Sequence, residues 1–112
     1  MKLVVFVLNR AEHLEEILGR LESMGVRGAT ILHSRGMAMA LENYFDGDFV
    51  GSLRSELEPE RKENRTVFAV MPDSLVEPVL NAVEEIAGSF DLPNTGIAFS
   101  IPVGDVRGIP AE

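Results

Sequence analysis

Four stretches of the chain are apolar and rich in β-branched residues, and two stretches between them repeat apolar residues at helical spacing. The apolar stretches predict strands at residues 2–8, 28–34, 66–71 and 96–103. The helical repeats lie at residues 9–24 and 73–87, and each ends just before a glycine, as α-helices commonly do. The predicted order is therefore strand, helix, strand, strand, helix, strand.

Both predicted helices begin near residues that favour helix N-termini. Asn9, with Glu12 three residues later, resembles a capping box, and Asp73 or Ser74 is the candidate N-cap of the second helix. Pro78 lies inside the second repeat, where it either removes one backbone hydrogen bond or marks the first position of the regular helix. The second helix therefore has alternative predicted starts.

This order of elements is typical of a ferredoxin-like βαββαβ sandwich, an α+β fold with both helices on one face of an antiparallel sheet. Residues 1–112 are enough for a single domain of this kind. The first and third strands are apolar on both faces, so the face without helices should also be buried. We therefore expect other copies of the chain to cover it.

The connection between the second and third strands, at about residues 36–65, is far longer than a hairpin loop of about two to five residues. Its second half, SELEPERKENR, is charged and broken by proline, which predicts mobility from about residue 41 to 64. Its first half carries large apolar side chains, which are typical of a surface that binds a partner. These side chains are Met37, Met39, Tyr44, Phe45 and Phe49.

The composition of the chain limits the classes of partner, metal site and location that we expect. Ten Lys and Arg against eighteen Asp and Glu give a net charge of −8, which repels a phosphate backbone and argues against nucleic acid as a partner. The chain has no Cys, and His13 and His33 lack neighbours at ligand spacing, so we expect no metal site. No apolar run is long enough to span a bilayer and residues 1–10 lack a signal-peptide cleavage pattern, so we expect a cytoplasmic protein.

Three segments resemble, in the same order, parts of the nitrogen regulatory P-II signalling proteins. GVRGATILHSRG is similar to the turn, second strand and entry to the T-loop of that family. VFAVMPDSLVEPVLNAV is similar to its third strand and second helix, and GIAFSIPVGDVRGI to its last strand and C-terminal segment. The resemblance implies a homotrimer that holds adenine nucleotide in clefts between subunits and docks through its T-loop on a target protein, such as a membrane transporter or an enzyme.

The resemblance also implies which residues act. The ligand-binding set is Thr30, Arg35, Gly36, Met37, Ala38, Arg65, Gly96 and Arg107. The docking part of the loop is Met39, Tyr44, Phe45 and Phe49. No cofactor is required, and ATP, ADP and AMP are the candidate ligands.

The chain departs from the family pattern where phosphates would bind. Ala40 stands where the family has a Gln that senses nucleotide and 2-oxoglutarate, GSFDLPNTG lacks the family's Lys, and Ile109 replaces a second arginine. Phe49 stands at the position of the uridylylated Tyr, which excludes that modification there. Each charge-assisted hydrogen bond that is lost is worth about 1.5–3 kcal/mol, so we expect weak binding of a small anion or a mononucleotide.

The same residues also allow two other interpretations of the function. The chain could be a trimeric interaction module without a small-molecule ligand, in which Arg107 is a solvated charge and Gly36 is a turn glycine. An acylphosphatase-like enzyme shares the fold, but VLNRAEH offers Arg10 without a Gly-rich phosphate cradle. We therefore expect no catalytic activity.

Overall fold

The first and third strands bury alternate residues, which places every second side chain of each strand under the helices. The structure, a computed structural model, describes residues 1–37, 41, 64–93 and 95–109. Its elements are β1 (Lys2–Leu8), a single 3-10 turn (Ala11–His13), α1 (Leu14–Ser23), β2 (Thr30–Ser34), β3 (Asn64–Met71), α2 (Asp73–Ala87) and β4 (Gly96–Pro102). The strands form an antiparallel sheet in the order β2-β3-β1-β4. The predicted order of elements and the α+β class are confirmed.

One face of the sheet, which we call the helix face, forms the core. Its strand residues Val4, Phe6, Leu8, Val67, Ala69 and Met71 are buried against Ile17 and Leu21 of α1 and Val79 and Val83 of α2. Because side chains alternate along a strand, the residues between them lie on the opposite face. Both helices therefore pack on the same side of the sheet.

The opposite face, which we call the open face, is also apolar. Strand register places Leu3, Val5, Val7, Phe68, Val70, Ile97, Phe99 and Ile101 on it. Ile97 is 58% exposed, Phe99 44% and Ile101 46%, and no helix of the described chain packs there. Large exposed apolar patches on soluble proteins are typical of interaction sites.

The predicted N-caps are wrong at both helices, because neither helix start has a side-chain cap hydrogen bond. Asn9 lies before the 3-10 turn, and its N–H donates to the carbonyl O of Thr95 at 3.3 Å. Pro72 is the residue before α2, and the helix runs from Asp73 through Pro78 without interruption. No helix in this described part of the chain is long and apolar enough to cross a membrane.

Asp73 instead pairs with the start of the chain. Its Oδ1 lies 3.1 Å from the α-amino nitrogen of Met1, and the hydrogen bond from that amino group lowers the pKa of the Asp73 carboxyl below its ordinary value. A carboxylate whose pKa is lowered by folding stabilises the protein above its unfolded pKa, and this contribution is lost as pH falls through the folded pKa.

We therefore expect Asp73→Asn to lower the melting temperature slightly at pH 6, because the pair is largely exposed to solvent. The difference from the original chain should disappear as the pH falls below about 4. Melting temperatures of both proteins between pH 6 and 2 measure this effect. A difference that stays constant over this range would show that the carboxylate charge is not the cause.

Candidate functional site

The predicted ligand-binding residues lie at two opposite ends of the sheet. At the loop end, where β1 and β2 end and β3 and β4 begin, lie Arg35, Gly36, Met37, Arg65 and Gly96. At the tail end, where β4 ends, lie Thr30 and Arg107. The five residues of β2 alone separate the two groups by about 13 Å, at roughly 3.3 Å per residue. Ala38, Met39, Tyr44, Phe45 and Phe49 lie outside the described residues.

A polar network joins the strands at the loop end. Ser34 Oγ lies 2.9 Å from Asn64 Oδ1 and 2.8 Å from Thr66 Oγ1. Because a hydroxyl has one hydrogen to donate, Ser34 donates to the Asn64 oxygen and accepts from Thr66. The Asn64 amide nitrogen also lies 3.5 Å from Asn9 Oδ1. The network therefore fixes the end of β2 against the start of β3 and the residue that follows β1.

The two predicted glycines at this end differ in how much room they leave for a side chain. A Cβ on Gly36 would lie 3.4 Å from the Asn64 amide nitrogen, so this residue packs against the polar network. A Cβ on Gly96 would lie 1.8 Å from the carbonyl O of Val7, and Gly96 has a φ of 136°. The start of β4 therefore needs glycine for the close approach of two backbones, whether or not a ligand binds there.

Arg65 and the polar network lie on opposite faces of the sheet. Arg65 is in register with Leu8 and His33, which places it on the helix face, and its Nη1 donates to the carbonyl O of Asn64 at 3.2 Å. Ser34 and Thr66 lie on the open face. Arg35 is exposed, and Met37 is 78% exposed. Arg65 and the polar network therefore cannot contact the same small ligand from one side of the sheet.

At the tail end, the C-terminal segment lies next to the start of β2 and the end of β3. A cavity of about 280 Å³ is lined by Thr30, Phe68, Val70, Gly108 and Ile109, together with residues 27–29. A neighbouring cavity of about 220 Å³ lies between Met1, Pro72, Leu75 and Ile109. Ligand pockets in proteins usually measure about 300–1,000 Å³, so the first cavity has the size of part of a binding site.

Ile109 and Arg107 have different environments in this segment. Ile109, which stands where the family pattern has an arginine, is half-buried and lines both cavities. Arg107 is exposed and forms no ion pair with a described residue, while Gly108 next to it has a φ of 98°. The segment is therefore held by an apolar side chain, and the exposed Arg107 directly precedes the two residues, Gly108 and Ile109, that line the larger of these cavities.

Sequence reasoning missed two features of this surface. One is the polar network of Ser34, Asn64 and Thr66. The sequence carried a signal for it, because these three polar residues interrupt the apolar pattern at the ends of two paired strands. Arg27 was also missed, and it lines both tail-end cavities. Among the described residues, no three His, Asp or Glu side chains form a cluster that could hold a metal ion.

Comparison with known proteins gives a match at the level of the family. The family model for nitrogen regulatory protein P-II matches residues 1–112, the whole chain. A search of curated proteins found no match to this sequence. The family match agrees with the resemblance of the three segments described above.

Proposed function

Because the chain belongs to the nitrogen regulatory protein P-II family, we propose that it works as a cytoplasmic homotrimer that senses a small anionic metabolite and controls a partner protein. Members of this family are signal-transduction regulators and not enzymes, which argues against the acylphosphatase-like alternative. Adenine nucleotide is the leading ligand, and the segment after β2, which carries the exposed Met37, is the proposed docking element.

The observation that carries the proposal is the open face of the sheet. Its apolar residues come from β1, β3 and β4, so they form one continuous surface across three strands. At roughly 25 cal/mol per Å² of apolar area removed from water, burial of such a surface favours association. In a trimer, the open faces of the three copies would cover one another.

A trimer would also bring the two separated groups of ligand-binding residues together. Within one chain, Thr30 and Arg107 lie at the tail end, whereas Gly36 and Gly96 lie at the loop end. A tail end that meets the loop end of a neighbouring copy would enclose a ligand between two chains. The tail-end cavity of about 280 Å³ would then form one side of that site.

A thermal-shift screen tests the ligand. The candidates are ATP, ADP, AMP, cyclic nucleotides and bicarbonate, and light scattering gives the mass of the assembly in the same buffers. A ligand at 100 times its dissociation constant adds about 2.7 kcal/mol to the free energy of unfolding, which is easily measured. A trimer that responds to none of these compounds would favour the interaction module without a small-molecule ligand.

Arg107→Ala should abolish the thermal shift caused by the ligand and leave the trimer intact. The Arg107 side chain is exposed and forms no ion pair with a described residue, so its removal should cost little folding free energy. Arg20→Ala is the matched control, because Arg20 pairs with Glu85 at 3.1 Å on the helix layer. An unchanged shift in Arg107→Ala would mean that Arg107 is a solvated charge.

A further inference from the structure

A groove of about 550 Å³ lies between α1 and β2, on the helix side of the sheet. It is lined by Leu18, Leu21, Glu22 and Ile31, together with residues 25–29, and by none of the predicted ligand-binding residues. Ile31 is in register with the buried Val67, which places its side chain on the helix face. Association of copies through the open face would therefore leave the groove on the opposite side of the sheet.

The groove presents apolar side chains that the chain itself does not fully bury. Leu21 belongs to the core, Leu18 is only partly buried against it, and Ile31 is 37% exposed. β2 is an edge strand of the sheet, so no described strand pairs with its outer side. An apolar side chain of a partner that enters the groove can therefore remove further apolar area from water.

Two glutamates flank Leu18 on the side of α1 that borders the groove. Glu15 lies three residues before Leu18 and Glu22 four residues after it, so the three side chains follow one row along the helix. Arg20 extends to the other side of α1, where its Nη1 lies 3.1 Å from Glu85 Oε2. Glu15 and Glu22 are exposed, and neither forms an ion pair with a described residue. The row therefore presents two carboxylates with an apolar side chain between them.

The charge of the helix layer favours a basic partner. Residues 11–23 and 73–87, which form the 3-10 turn and the two helices, contain eight acidic residues and one arginine. With His13 neutral, this gives a formal charge of −7, which is nearly all of the net charge of −8 of the chain. Arg27 lines the groove beyond the end of α1, so the negative charge is concentrated along the helix itself. Such a surface attracts a positively charged segment and repels an acidic one.

We infer that this groove binds a basic amphipathic helix of a partner protein. At 1.5 Å per residue, Glu15 and Glu22 are separated by about 10.5 Å along α1. Basic residues seven positions apart on a helix alongside α1 would meet both carboxylates, and apolar residues between them would face Leu18 and Ile31. An extended segment fits less well, because its side chains repeat on one side about every 6.6 Å. This surface is separate from the docking segment after β2 and does not depend on a small-molecule ligand.

Calorimetric titration with a synthetic helical peptide tests the inference. The peptide carries Lys at every seventh position, Leu three and four residues after each Lys, and Ala elsewhere. It should bind the original chain, and added salt should weaken the binding because the carboxylates are exposed. A peptide with Ser in place of Leu should bind about 10-fold more weakly or worse. A scrambled peptide of the same composition should also bind more weakly, because it lacks the seven-residue spacing.

Glu22→Lys should weaken binding of the original peptide by about 5- to 20-fold, because it replaces an exposed ion pair by a repulsion. The fold should persist, since a cation near the end of α1 suits the helix dipole. Ile31→Ser should weaken binding by about 3- to 10-fold. Glu77→Lys is the matched control, because Glu77 is exposed on α2 and lies outside the groove, so its effect should be less than about 2-fold. Circular dichroism checks that each variant is folded.

An original chain that does not bind the peptide would overturn the inference. Equal weakening by Glu22→Lys and Glu77→Lys would also overturn it, because the attraction would then be a general effect of charge. Equal binding of the scrambled peptide would show that the helical spacing plays no part. If light scattering finds assemblies of the original chain that Ile31→Ser dissociates, another copy covers the groove and a basic helix does not.

Discussion

Replacement of Gly96 by alanine is expected to lower the free energy of unfolding by more than about 3 kcal/mol. The new Cβ would lie 1.8 Å from the carbonyl O of Val7 and 2.9 Å from its carbonyl carbon. Val7 cannot move away easily, because β1 is a central strand that pairs with Thr66 on one side and Ile97 on the other. The φ of 136° at Gly96 adds backbone strain for any residue with a Cβ. Urea denaturation of Gly96→Ala and the original chain measures the difference.

Gly19→Ala is the matched control. Gly19 lies in α1, it is exposed, and a Cβ there would have no heavy atom within 4 Å, so alanine should stabilise the protein by about 0.5–1 kcal/mol. If Gly96→Ala is within about 1 kcal/mol of the original chain, the close approach of the two backbones is not rigid. The denaturation measurement is also needed to interpret ligand binding. A loss of binding in Gly96→Ala is evidence about the site only if this variant is still folded.

The sequence was most informative where burial alone determines the structure. β1 has the predicted bounds, Lys2–Leu8, because its apolar run ends at a polar residue on the carboxyl side. β3 begins at Asn64, two residues before the predicted start, because Asn64 and Arg65 are polar and pair with Ser34 and His33 of β2. An apolar pattern cannot reveal strand residues whose place depends on a polar partner elsewhere in the chain.

The prediction of the helix N-caps was wrong for a related reason. Asn is a residue type that favours the N-cap position, but the backbone N–H of Asn9 donates to the carbonyl O of Thr95. Asp73 pairs with the α-amino group of Met1. Both partners are distant in the sequence, so a rule based on residues three positions apart could not detect them. Local preference predicted the location of the helices, and tertiary contacts determined how they begin.

The candidate site was harder to predict than the fold. The family resemblance selected Thr30 and Gly36 together, although they lie at opposite ends of β2. Arg27 was missed because in the sequence it is a single charge in a turn, and only the arrangement of the surrounding cavities distinguishes it.

Phe99→Glu is expected to convert the proposed trimer into a monomer. Phe99 lies on the open face in register with Val5, and it is 44% exposed in the single chain. In a symmetric trimer the substitution would place a carboxylate without a partner at three buried positions, and each would cost several kcal/mol. The fold of the single chain should persist, because the Phe99 side chain lies on the face opposite the core. Light scattering measures the mass, and circular dichroism measures the retained secondary structure.

Leu92→Glu is the matched control for assembly. Leu92 is 57% exposed and lies between α2 and β4, outside the strands that form the open face, so this variant should remain a trimer. A loss of the trimer in both variants would indicate a general effect of added negative charge on a chain that already carries −8. A trimer that survives Phe99→Glu would show that the open face does not hold the copies together. An original chain that is a monomer would contradict both the trimer and the proposed ligand site between two chains.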